Sequence, residues 1–143
     1  MVINFTAHRR IGEGVYSIVR EVDGKAFKLF KRHPQVPPRQ TDEGRRLTYQ
    51  HQCQAYERAS GDPFLKQHIP TFYGPVGVED VIDTDGSSIK GEYLLDCCYV
   101  VEILSGDETK TASALRLSEI EKFAHIREAT DRFRELGVRF LRL

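Results

Sequence analysis

Gly12-Glu13-Gly14 and Lys28 are the residues of this chain whose types and spacing could do chemistry. A glycine has no Cβ, so its backbone N–H can be approached closely by an anion. A lysine on a neighbouring strand would bring positive charge to the same place. Between them lie Val15, Ile18, Val19 and Val22, which suit an extended segment, followed by Asp23-Gly24, the composition of a type I′ hairpin turn. The return run Ala26-Phe27-Lys28-Leu29-Phe30 places the lysine among strand side chains. Together these describe a glycine-bent ribbon able to grip phosphate. The pattern is not a dinucleotide fingerprint or a Walker loop, because no helix opens after the second glycine.

The other reactive residues are plainer. His8, His33, His51, His68 and His125 fall on unrelated segments, which favours solvent-facing or capping roles. Ser17 has no indicated base beside it. Cys53, Cys97 and Cys98 are odd in number and lack metal-site spacing with histidine, so no metal site is identifiable. Cys97 and Cys98 are neighbours on a strand and point to opposite faces, so they are poorly placed to pair. Reduced thiols in a cytoplasmic protein are expected. Lys plus Arg and Asp plus Glu each total 21, so no net charge draws the chain to nucleic acid or to a membrane surface. No apolar run reaches the ~20 residues of a membrane span, and the first residues lack a signal-peptide core.

The elements that must position Lys28 follow from pattern. The 143 residues suit one modest core. Val2, Ile3 and Phe5 read as extended, and strands are expected at about 14–22 and 25–31. The proline-rich stretch 33–40 reads as a loop. A helix should start at Thr41 or Asp42, carry a Tyr49, Cys53, Tyr56, Ser60 stripe and end at Gly61-Asp62-Pro63. Val76–Ile82 is expected as a strand, 83–88 as a turn, and Tyr93–Leu104 as a strand buried on both faces. Ser118-x-x-Glu121 forms a capping box that opens a last helix reaching Leu136, before Gly137. The fold class expected is α+β: a five-stranded antiparallel sheet with one packed helix, then a C-terminal helix. The domain division expected is 1–104 and 105–143.

This order resembles the small lobe of the eukaryotic-type protein kinase superfamily, continued through the hinge into the first large-lobe helix. Ile11-Gly12-Glu13-Gly14-Val15-Tyr16-Ser17-Ile18-Val19 is similar to the glycine-rich loop, with Ser17 where the third glycine usually stands. Ala26-Phe27-Lys28 matches the Val-Ala-Ile-Lys pattern. Gln54–Ala59 and Ile69–Gly74 resemble the end of the αC helix and the strand after it, and Val101-Glu102-Ile103-Leu104 resembles gatekeeper and hinge. The resemblance implies weak ATP binding through Gly12, Gly14, Val19, Lys28, Val101, Glu102, Leu104 and Asp107. It makes Gln52 or Glu57 the partner of Lys28.

The departures shape the functional expectation. The family's lysine-pairing glutamate should lie one turn before Tyr56, where this chain has Gln52; Glu57 points about 100° round the helix from Tyr56. At the catalytic-loop position stand Phe140-Leu141-Arg142, and neither Asp-Phe-Gly nor the catalytic-loop Asn occurs in these residues. Phosphoryl transfer rests on metal ligands, a base and positioning. The expectation is therefore a catalytically inactive, kinase-like regulatory or interaction module. Apolar groups such as Tyr56, Phe72, Val101, Phe133, Phe140 and Leu141 should be partly exposed, implying a homo-oligomer or a complementing chain. The alternatives are a phosphotransferase fragment active only within a longer chain or with a partner, and an unrelated α+β domain without nucleotide binding.

Overall fold

A computed structural model describes residues 1–32 and 41–103. Five strands form one antiparallel sheet: β2 (Arg10–Glu13), β3 (Ser17–Val22), β4 (Lys25–Lys31), β5 (Phe72–Pro75) and β7 (Tyr93–Glu102), in the order β2-β3-β4-β7-β5. Two short strands, β1 (Val2–Asn4) and β6 (Asp80–Ile82), pair in parallel as a separate ribbon. Helix α1 runs Asp42–Ser60. The described part is thus α+β, with one helix and a five-stranded antiparallel sheet, as the patterning implies.

Local chemistry explains the elements that position Lys28. The β3–β4 turn has Asp23 at φ 51° and Gly24 at φ 76°, the two positive values that a type I′ turn demands. It sets a register in which Val19 faces Lys28 and Ile18 faces Leu29. Thr41 is the N-cap of α1: its Oγ accepts the Gly44 N–H at 3.1 Å. At the other end the Gly61 N–H reaches back to the Glu57 and Arg58 carbonyls, closing the helix where glycine was expected to stop it.

The two faces of the sheet differ in kind. Ile18, Phe27, Leu29, Cys98 and Val100 pack with Ile3, Val78 and Val81 of the ribbon segments into an apolar core. Lys28, Phe30 and Tyr99 belong to the other face, under α1. β7 is buried along most of its length, as a continuous apolar run suggests. Three extra residues of β7 bulge between the Leu29–Cys98 and Lys31–Tyr93 pairs.

Three boundaries differ from the pattern-based reading. The expected strand 14–22 is shortened at its start to β3, because Val15 and Tyr16 form the exposed tip between β2 and β3. The expected strand Val76–Ile82 is replaced by β5, an edge strand of the sheet, and by β6, which belongs to the ribbon. Gly74 at φ 101° lies at a register shift after Phe72, and Pro75 has no N–H to donate; beyond them the Val76 and Val78 N–H groups still donate to the Cys98 and Leu95 carbonyls of β7 before the chain turns into β6. β1 pairs with β6 outside the main sheet. The expected C-terminal helix lies outside the described residues. By contacts the chain divides into a unit of Met1–Gln54 with Thr71–Ile103 and a unit of Ala55–Pro70 with Leu104–Leu143. In the second unit the described residues hold the end of α1 and a short 3₁₀ turn, Leu65–Gln67. The Asp62 carboxylate caps that turn by accepting the Phe64 and Leu65 N–H groups.

Candidate functional site

Lys28 sits in mid-β4, between Val19 on β3 and Tyr99 on β7, with Gly12 of β2 beyond Val19. Paired residues of an antiparallel sheet share a face, so Gly12, Val19, Lys28 and Tyr99 form one row beneath α1. Gly12 lies about 10 Å from Lys28, two strand spacings away.

The lysine ammonium reaches up to the helix. Nζ donates to Gln52 Oε1 at 3.1 Å, and the Tyr99 hydroxyl donates to the same oxygen at 2.8 Å. Both lone pairs of the amide oxygen are therefore used. The Phe30 and Tyr99 rings flank the ammonium, with centroids 5.5 and 5.8 Å away, within cation–π range. Tyr49 of α1 stacks on Tyr99, meets Phe30 edge-on, and donates its hydroxyl to the Cys98 carbonyl. No carboxylate among the described residues pairs with Lys28. Burial lowers its pKa, and no opposing charge offsets that shift. The site is thus a half-buried amine held by a neutral amide inside an aromatic frame. Its other two ammonium protons meet no acceptor among the described residues.

The glycine bend is less open than its composition suggests. The Gly14 N–H donates to the Ser17 carbonyl at 2.9 Å, closing the hairpin instead of standing bare. A Cβ at Gly12 or at Gly14 would meet nothing within 4 Å. Neither glycine is required by crowding within the chain.

The remaining candidates divide clearly. Gln52 is brought to Lys28. Glu57, five residues on, is exposed and about 140° round the helix from Gln52. Val101 is half-buried on β7. Glu102 ends β7; its N–H donates to the Thr71 carbonyl at 2.9 Å, and its carboxylate accepts the Thr71 N–H at 3.2 Å. Leu104 and Asp107 lie outside the described residues, as do Phe133, Phe140, Leu141 and Arg142. Tyr56 and Phe72, expected to be partly exposed, are half-buried, whereas Val2, Ile11, Val15, Tyr16, Leu47 and Tyr73 are the exposed large apolar residues. All three cysteines are buried. Burial pushes the Cys97 thiol up to about 11 and Cys98 to about 12, so both stay protonated at neutral pH.

Pattern reading missed Tyr99, which shares the Gln52 oxygen, and Arg45, which is buried at the start of α1. A helical signal existed for Arg45: Arg45, Tyr49, Gln52 and Cys53 follow the three-to-four spacing of one face. Nothing local marks Tyr99, because its place opposite Lys28 is a matter of register. Comparisons of this chain with protein-family models, with curated proteins and with solved structures gave no match.

Proposed function

We propose that this chain is a protein kinase-like small-lobe module that holds nucleotide phosphate weakly at Lys28 and does not itself transfer a phosphoryl group. The reading makes it a regulatory or interaction module. One observation carries it: Lys28 Nζ lies 3.1 Å from Gln52 beneath α1, in a row with Gly12 and Val19. That is the relation the family resemblance requires between its strand lysine, its helix and its glycine loop.

The amide sets the character of the site. A glutamate at residue 52 would supply a counter-charge and keep the lysine ionised. Gln52 accepts one hydrogen bond from the ammonium but brings no charge, leaving the lysine unbalanced in a half-buried place. An incoming polyphosphate would supply the missing negative charge, so ATP or ADP is the fitting ligand class. Affinity about millimolar is expected, because the Gly14 N–H must first leave Ser17 and the site is not otherwise preorganised. Three buried cysteines, odd in number, suit a reducing compartment, and the cytoplasm is the location proposed. No helix among the described residues is long and apolar enough to cross a membrane. A second copy or a complementing chain is the proposed partner, with exposed Ile11 and Val15 on the edge hairpin as its first contacts.

Calorimetric titration with Mg·ATP tests the reading. Saturable binding should weaken at least about tenfold in Lys28→Met, a loss of about 1.4 kcal/mol. Equal affinity in the two proteins would remove Lys28 from the site. Label transfer from Mg·ATP by the purified chain would overturn the non-catalytic part, and strictly monomeric elution at tens of micromolar would remove the self-association.

A further inference from the structure

A second group built to meet an anion lies at the start of α1, independent of the reading of Lys28. Arg45 is 2% exposed. Its Nη1 donates to the Lys31 carbonyl at 2.6 Å, while Nε and Nη2 have no hydrogen-bond partner among the described residues. These two idle nitrogens belong together: Nε–H and one Nη2–H run parallel along a single edge of the guanidinium. That edge matches two oxygens of one carboxylate or phosphate group, the bidentate fork that a lysine cannot offer. Buried donors are almost always paired, so a vacant fork on a buried arginine points to a missing acceptor.

The surroundings favour an anion there. Arg45 lies in the first turn of α1, where the helix dipole attracts negative charge. Asp42, the nearest acid in that turn, is engaged by Arg32 at 4.0 Å. The Arg45 Cζ lies over the Tyr16 ring, 5.0 Å from its centroid, so this ring is a neighbour of the guanidinium. Tyr16 is itself half-exposed at the tip of the β2–β3 hairpin. Gln52 is seven residues further along α1, about 10 Å, so this location is separate from that of Lys28.

We infer that the Nε/Nη2 edge of Arg45 is a binding site for an oxyanion presenting two oxygens side by side, a phosphate group or a carboxylate, with Tyr16 as the side chain that moves to admit it.

The test is the side-chain Nε–Hε resonance of Arg45 in ¹⁵N-arginine-labelled protein, titrated with inorganic phosphate and, in a parallel arm, with acetate at matched ionic strength. A saturable shift of that resonance at low-millimolar phosphate is expected. Saturation by acetate over the same range would make the site a general carboxylate and phosphate receptor; response to phosphate alone would restrict it to phosphate groups. Arg45→Lys should abolish the saturable phase, Tyr16→Ala should tighten binding about threefold by removing the neighbouring ring, and Lys28→Met should leave it unchanged. If Arg45→Lys fails to fold, the wild-type resonance decides alone. No saturable shift with either anion, or an equal shift with chloride, would overturn the inference.

Discussion

The two faces of one sheet are built on opposite plans. On the ribbon side, Ile3, Ile18, Leu29, Val81 and Cys98 are at most 2% exposed, and among the described residues no Lys, Arg, Asp, Glu or His belongs to that cluster. On the helix side a lysine, a glutamine, two tyrosines and an arginine share the layer beneath α1. Both faces use the same strands, so alternation along β4 alone assigns Leu29 to one and Lys28 to the other. The ribbon face gains stability from area removed from water, at roughly 25 cal/mol per Å². The helix face spends much of that gain on desolvating polar groups, which a fold retains where they do something besides hold it together.

The largest expected effect breaks the ribbon face. Leu29 is 0% exposed, and Leu29→Ala should cost about 2–5 kcal/mol in urea-unfolding free energy. Any nucleotide affinity of the folded fraction should stay within about twofold, because Leu29 points away from Lys28. A loss below about 1 kcal/mol would mean that the ribbon is not the stabilising half.

A smaller effect sharpens the helix face. In the wild-type chain, burial lowers the Lys28 pKa. The unfolded chain then binds more protons between the folded value and the ordinary lysine value of about 10.4, so this residue's contribution to stability rises with pH across that window. Gln52→Glu places a carboxylate beside Nζ and reverses the sign. Lys28 is then favoured when charged, and that contribution is present below the ordinary value and lost as pH climbs past it. The net change at neutral pH should be about 1 kcal/mol or less in either direction, since Coulomb gain and desolvation nearly cancel. The stability difference, variant minus wild type, should fall from pH 7 to pH 10. Alkaline losses from Tyr49, Tyr93, Cys97 and Cys98, all shifted upward by burial, are common to both proteins and cancel. A flat difference curve would show that Lys28 does not sense residue 52.

What could be read from the chain divides along the same line. The β3–β4 hairpin was legible because Asp23-Gly24 carries its own backbone requirement, and β7 because a long apolar run needs two covered faces. The start of α1 was legible in Thr41, whose hydroxyl has one natural use there. The ribbon was not, since parallel pairing of Val2–Asn4 with Asp80–Ile82 leaves no local turn signal. The glycine bend was legible as a bend but not in its hydrogen bonding, since Gly14 gives its N–H to Ser17. Lys28 stood out by its strand position, and its partner was narrowed to Gln52 or Glu57 only through the family resemblance. The third member of that cluster, Tyr99, depends on a register that the β7 bulge shifts. Arg45 escaped notice because a charged residue in an apolar stripe is ordinarily assigned to solvent.

The smallest effect tests where the polar plan of the helix face ends. At its rim, Arg46 of α1 holds Asp96 of β7 through two hydrogen bonds of 2.9 and 3.2 Å. The Arg46 hydrogen bond keeps the Asp96 carboxyl below the usual carboxylate range, against a small opposing effect of burial. A carboxylate with a lowered folded pKa contributes stability that is present above the unfolded value of about 3.9 and lost as pH falls through the folded one. Asp96→Asn should therefore destabilise the chain at pH 7, and the difference from wild type should shrink as pH falls below the ordinary carboxylate range. The side chain of Asp96 is 62% exposed, so solvent screens the pair and the cost should be below about 1 kcal/mol, shrinking further in molar salt. The Gln52→Glu difference, set in a half-buried aromatic frame, should be far less sensitive to salt. If both differences vanish together in high salt, Lys28 is as accessible to solvent as the rim, and the contrast between an enclosed amine and an exposed pair does not hold.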